Sequence, residues 1–123
     1  MVEYVENYKL LLQRGAGIYE ELLLLYAPEK KSGEEWAIKS ALQTSNQRIS
    51  LLERLADPLP RITAEETSAL VASIGHYLDR HWADYQEFPV NDQAKRSRLV
   101  ELHAKLETVI KGFGQIYNAL RAS

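Results

Sequence analysis

Leu99-Val100-Glu101-Leu102-His103-Ala104-Lys105-Leu106-Glu107-Thr108-Val109-Ile110-Lys111-Gly112-Phe113-Gly114-Gln115-Ile116-Tyr117-Asn118-Ala119-Leu120 is the stretch that decides the fold. Leu99, Leu102, Leu106, Val109, Phe113, Ile116 and Leu120 recur at alternating spacings of three and four, the period at which a helix returns to the same face. Gly112 and Gly114 interrupt this stripe. Each costs about 1 kcal/mol against alanine inside a helix, so the helix kinks there, ends near Lys111 or admits a close neighbour.

Working outward, the same period appears three more times. Pro89-Val90-Asn91 precedes the stripe, and Asn91 is placed to cap its helix. Upstream, Thr63-Ala64-Glu65-Glu66 reads as a capping box opening a helix with the seam Val71, Ile74, Leu78, His81, Tyr85 and Phe88, which Pro89 stops. Before that, Ser32-Gly33-Glu34-Glu35 reads as a second capping box, followed by Ile38, Leu42, Ser45, Ile49, Leu52 and Ala56. The first segment carries Val5, Tyr8, Leu12, Gly15, Tyr19, Leu22 and Tyr26, with Leu11, Ile18 and Leu25 widening its face. The spacing predicts helices over about 3–27, 33–56, 64–88 and 92–121. Connections this short make sequential helices antiparallel, so the expected fold is all-α: a single-domain, up-down-up-down four-helix bundle over residues 1–123.

Composition agrees with one packed domain. The chain has 123 residues, 46% hydrophobic and 26% charged. At this size, area scaling predicts about 6,700 Å² exposed when folded against about 20,400 Å² unfolded, which leaves room for a core without a metal or disulfide staple. With 15 Lys+Arg against 17 Asp+Glu, the net charge is -2, which lacks the basic footprint of a duplex-binding protein, so nucleic acid is not the expected partner. Zero cysteines exclude disulfides, thiol catalysis and cysteine zinc sites. The N-terminus has neither a basic nor an apolar leader segment, and no apolar run reaches the ~18 residues of a membrane span. A cytoplasmic protein without membrane insertion is expected.

Chemical motifs are sparse. His76 and His81 are five apart and fall on different helix faces, and the Glu-x-x-His spacing of di-iron bundles is missing, so no metal or other cofactor is expected. His81, on its seam, reads as a hydrogen-bonded core or edge residue. Gly15-Ala16-Gly17 and Gly112-Phe113-Gly114 sit inside helical stripes and read as packing positions, not phosphate loops. Lys95-Arg96-Ser97-Arg98 reads as a solvated first turn. Arg98 and His103 stand five apart near the end of an all-helical chain, a spacing similar to that of the HEPN family, in which such a pair serves RNA cleavage. The family's polar residue after the arginine is replaced by Leu99. No catalytic constellation emerges, and the chain is not expected to be an enzyme.

The aromatics point instead to a surface. Tyr77, Trp82, Tyr85 and Phe88 crowd the second half of the third helix, and Ile110 and Tyr117 lie off the main stripe of the fourth. Apolar surface left after one face is buried marks a partner site, and a groove between two such helices accepts an amphipathic helix. Tyr77, His81, Trp82, Tyr85, Phe113 and Tyr117 are the expected partner-binding residues, between the third and fourth helices. A weakened end near Gly112 and Gly114 would let the last segment move aside and open that groove.

Gly33-Glu34-Glu35-Trp36, Asn46-Gln47-Arg48-Ile49-Ser50-Leu51-Leu52-Glu53-Arg54-Leu55, the proline-containing break after them, Thr63-Ala64-Glu65-Glu66 and Leu78-Asp79 together resemble FliT/FlgN-type flagellar export chaperones over most of residues 8 to 117. The Lys30-Lys31 connector and the aromatic stretch from Tyr77 to Phe88 depart from that pattern. The resemblance implies a small cytosolic bundle that binds a helical C-terminal segment of a filament-cap or hook-associated subunit. It would prevent premature assembly and deliver its client to the type III export gate. The alternatives are a self-associating structural bundle, such as a homodimer, and a HEPN-like ribonuclease.

Overall fold

Apolar stripes of period three to four cannot remain in water, and the chain buries them by packing four helices against one another. The structure, a computed structural model, describes residues 2–26, 33–87 and 93–122; within the helices, the side chains at 2–3, 26 and 81–87 lie outside the description. The helices are α1 (Val2–Tyr26), α2 (Gly33–Leu55), α3 (Ala64–Glu87) and α4 (Gln93–Ala122). The ends at Leu55 and Ala64 fall within one residue of the sequence expectation, the other ends border residues outside the description, and the four helices form a single-domain bundle.

Helix α1 packs against α2 on one side and α4 on the other, α3 packs against α4, and α2 and α3 approach each other least closely. Both neighbours of α1 run antiparallel to it: Lys9 reaches Glu53 of α2, and Glu21 reaches Arg98 of α4. The rods are 23 to 30 residues long, which makes the bundle elongated and accounts for its exposing 7455 Å², above the ~6,700 Å² of a rounder chain.

Four large aromatic side chains fill the centre. Tyr8 meets Phe113 edge-to-face at 5.2 Å between ring centroids, and Tyr19 meets Tyr77 in the same way at 5.1 Å. On α1 Val5, Tyr8, Leu12, Tyr19 and Leu22 are buried as expected, with Tyr26 outside the described side chains, and the α4 stripe is buried from Leu99 to Ile116 while Leu120 is half-buried. On α3 the buried face is broader than expected. Ile74 and Leu78 of the expected seam are buried and Val71 is half-buried, while Thr67, Leu70 and Tyr77 are buried beside them. The ring of Tyr19, edge-to-face with Tyr77, covers the added side. His81, Tyr85 and Phe88 of the expected seam lie outside the described side chains, as do the caps expected at Ser32 and Asn91.

Helix α4 runs unbroken through its glycines. Gly112 is there because a Cβ at this position would stand 2.8 Å from Leu11 Cδ2, so α1 approaches the backbone itself. Gly15 does the same for the core, where a Cβ would meet Leu42 Cδ1 at 3.0 Å. Gly114 has no such neighbour. Gly114→Ala is therefore expected to raise stability by about 1 kcal/mol in urea unfolding, from helix propensity alone. Gly15→Ala should lose that gain, because the fully buried Leu42 has nowhere to move.

The α2–α3 side is held by polar side chains where the backbones stay apart. Thr63 caps α3, its hydroxyl accepting from the Glu66 N–H at 3.1 Å. The Glu66 carboxylate does not close the capping box; it accepts from Ser45 at 2.7 Å and from Arg48, both on α2. Helix α2 ends in a Schellman arrangement, with Asp57 N–H donating to the Leu52 carbonyl and Ala56 N–H to the Glu53 carbonyl. Ala56 takes the left-handed conformation there, φ 51°. An L-residue pays about 1 kcal/mol for that, so Ala56→Gly is expected to stabilise the protein by up to roughly that amount, read as a shift of the urea midpoint at constant m-value.

Candidate functional site

The expected groove between α3 and α4 loses its two central members to the core. Tyr77 and Phe113 are both 0% exposed, each locked edge-to-face against a tyrosine of α1, so neither offers surface to a partner. His81, Trp82 and Tyr85 lie on α3, with side chains outside the described residues. Tyr117 is half-buried, its ring covered by the Arg121 guanidinium at 5.6 Å. It borders an open depression of about 560 Å³ between α3 and α4, lined by Ala64, Ser68, Ala69 and Ala72.

A more enclosed cleft opens on the other face of α4, along its seam with α1. It encloses about 480 Å³, its apolar floor formed by Leu11 and Ile18 of α1 and Leu102 and Val109 of α4. Gly17 lines it and leaves open space beside the cleft; a Cβ there would meet nothing within 4 Å. Arg14 and Lys105 stand on its rim, and Glu21 closes one end. A smaller depression of about 160 Å³ continues the seam past Leu11, bordered by Leu10, Gly112 and Ile116, with Leu11 and Arg14 shared by both.

No family model, curated protein or solved structure matches this chain. Its candidate site rests on geometry alone.

Glu21 is held in place by Arg98, whose Nε and Nη2 donate to the two carboxylate oxygens at 2.8 and 2.6 Å, while Arg98 Nη1 lies 3.0 Å from Glu101. Hydrogen bonding from Arg98 lowers the Glu21 pKa, and its bonds to Glu21 and Glu101 raise that of Arg98. His103, by contrast, points inward and is 2% exposed. The pair singled out by its HEPN-like spacing thus faces two different environments and converges on no common cleft. Among the described residues no three His, Cys, Asp or Glu side chains group as a metal site, and no helix is long and apolar enough to cross a membrane.

The interior also holds polar groups that sequence reasoning missed. Glu35, assigned to a capping box, is 0% exposed and accepts a hydrogen bond from the Tyr77 hydroxyl at 3.2 Å. It stands in the first turn of α2, where the helix dipole favours a negative charge. The His103 ring lies against Tyr77 at 6.2 Å between centroids. With Tyr19, these residues make a polar layer to which every helix contributes one side chain. The signal was present: Glu35 is in register with Ile38, Leu42 and Ile49, and His103 adjoins Leu102 on the α4 stripe.

Proposed function

We propose that this chain is a helix-binding module whose α1–α4 seam receives an amphipathic helix, in the manner of a cytoplasmic flagellar export chaperone. Its client would be the helical C-terminal segment of a filament-cap or hook-associated subunit, held back from assembly until export. The observation that carries this reading is the apolar seam itself, a cleft and its continuation running between two helices at the surface. Such a groove accepts the apolar face of a third helix, whose anchors sit at i, i+3 or i+4 and i+7. We favour the α1–α4 seam over the α3–α4 groove because Tyr77 and Phe113 are core residues and the α1–α4 cleft is the more enclosed of the two. The unbroken α4 removes the need for a moving end, since the α1–α4 seam is already open.

The test is a titration of the purified protein with C-terminal segments of cap and hook-associated subunits from the same organism. Calorimetry and light scattering should give a one-to-one complex, with circular dichroism showing helix gained by the segment. Failure of every such segment to bind would contradict the chaperone assignment.

A second reading is favoured by a different surface. Leu24 and Leu55 are 74% and 65% exposed, and Trp36 is 59% exposed with Lys39 above its ring. These residues belong to α1 and α2, and their apolar area suits self-association of bundles. Sedimentation separates the two: a dimer dispersed by Trp36→Glu supports the self-associating bundle, and a concentration-independent monomer supports the open seam.

A further inference from the structure

The α1–α4 seam is not electrically neutral, and its charge distribution restricts what it accepts. It runs alongside residues 7–21 of α1 and 102–116 of α4. At 1.5 Å per residue this is a trough about 21 Å long, the length of roughly four helical turns. Arg14 borders both depressions and makes no ion pair among the described residues. Lys105 stands on the same rim, with only a long 3.7 Å approach to Glu101. Glu21 is the one carboxylate lining either depression, and Arg98 already holds both of its oxygens. The uncompensated charge of the trough is therefore positive, on a chain whose net charge is -2.

We propose that the helix this seam accepts carries acidic side chains on the flank of its apolar stripe, and that Arg14, midway along the trough, selects for them. This rests on the helix-binding reading above. A carboxylate meeting Arg14 forms a charge-assisted hydrogen bond beside apolar surface, where screening is weaker than in open solvent. A basic flank meets repulsion at the same point. The apolar floor supplies affinity for any amphipathic helix, and the rim supplies the choice among them.

Two fluorescent peptides of about 14 residues, sharing one leucine stripe and flanked by either glutamate or lysine, test this by anisotropy. The glutamate peptide is expected to bind at least about tenfold more tightly at low salt, with the gap narrowing as ionic strength rises through about 0.5 M. Arg14→Glu, whose fold is checked by circular dichroism, should reverse the preference. Gly17→Leu, which fills the open floor with a good helix former, should abolish binding of both peptides. Equal affinities for the two peptides, or a preference that survives Arg14→Glu, would overturn the charge selection while leaving helix binding in place. Absence of binding by either peptide would overturn both. Sodium oleate binding at the seam while both peptides fail would replace the helix with an anionic amphiphile.

Discussion

Phe113→Ala should lower the unfolding free energy by about 3–5 kcal/mol, a large share of the roughly 5–15 kcal/mol that holds a domain of this kind. Phe113 is fully buried, and its ring is the partner of Tyr8 in one of the two aromatic pairs at the bundle centre. Removing it forfeits the transferred apolar area and the edge-to-face contact, and opens a cavity that three rigid neighbouring helices cannot close. Urea unfolding followed by circular dichroism measures the loss. Tyr117→Ala, four residues further along and half-buried, should cost under about 1 kcal/mol in the same assay. A small loss at Phe113 would mean that the ring faces solvent, as the α3–α4 groove had required.

The second large effect is an alkaline transition. Burial pushes the Tyr8 hydroxyl up to about 12, and the Thr67 hydroxyl 3.4 Å away offsets only part of that. Burial raises Tyr19 further, with the negative charges of Glu34 and Glu35 adding to it. A folded-state pKa above the unfolded one means that the folded protein holds the proton more tightly. The contribution is complete below the unfolded value near 10 and is lost as pH rises above it. At pH 11 each buried tyrosine should have cost the fold about 1.4 kcal/mol relative to neutral pH, since one pH unit past the unfolded pKa corresponds to that amount. Lys9, raised by its hydrogen bond to Glu53, adds in the same direction but is largely solvated and contributes little. Thermal unfolding at pH 8, 10 and 11 should show the midpoint steady to about pH 10 and falling beyond it. The phenolate absorbance of Tyr8 and Tyr19 should appear as a cooperative step with unfolding, and Tyr8→Phe should shift the transition to higher pH. A flat midpoint through pH 11 would show these hydroxyls to be solvated.

These two effects depend on parts of the molecule that were legible to different degrees. The start of α3 was readable because a capping threonine acts locally, and the α4 stripe because all its members are large and apolar. The full width of the α3 face was not, since Ile74 and Leu78 are buried as read but Leu70 and Tyr77 join them only because the ring of Tyr19 covers that side. The burial of Glu35 was missed for a related reason: a glutamate three residues after a serine satisfies the capping rule, and its place on the stripe of Ile38 and Leu42 weighs less than its charge in any reading by residue type. The seam between α1 and α4 was invisible in sequence. It depends on the register that sets Leu11 over Gly112, which is not a property of one helix.

Placing the partner site at that seam also separates fold from binding. The aromatics hold the bundle together, while the seam's rim residues, Arg14 and Lys105, make only marginal contacts within the fold. Substitutions there should alter binding with little change in stability, the reverse of what Phe113 and Tyr77 should do.

The most direct measurement is an amide correlation spectrum of the isotopically labelled protein, titrated with the acidic-flanked helical peptide. Shifts concentrated at Leu11, Arg14, Gly17, Lys105 and Val109, saturating at one equivalent, are the result expected if the α1–α4 seam is the binding site. Shifts centred instead on Trp36 and Leu55, or on Ala69 and Tyr117, would contradict it.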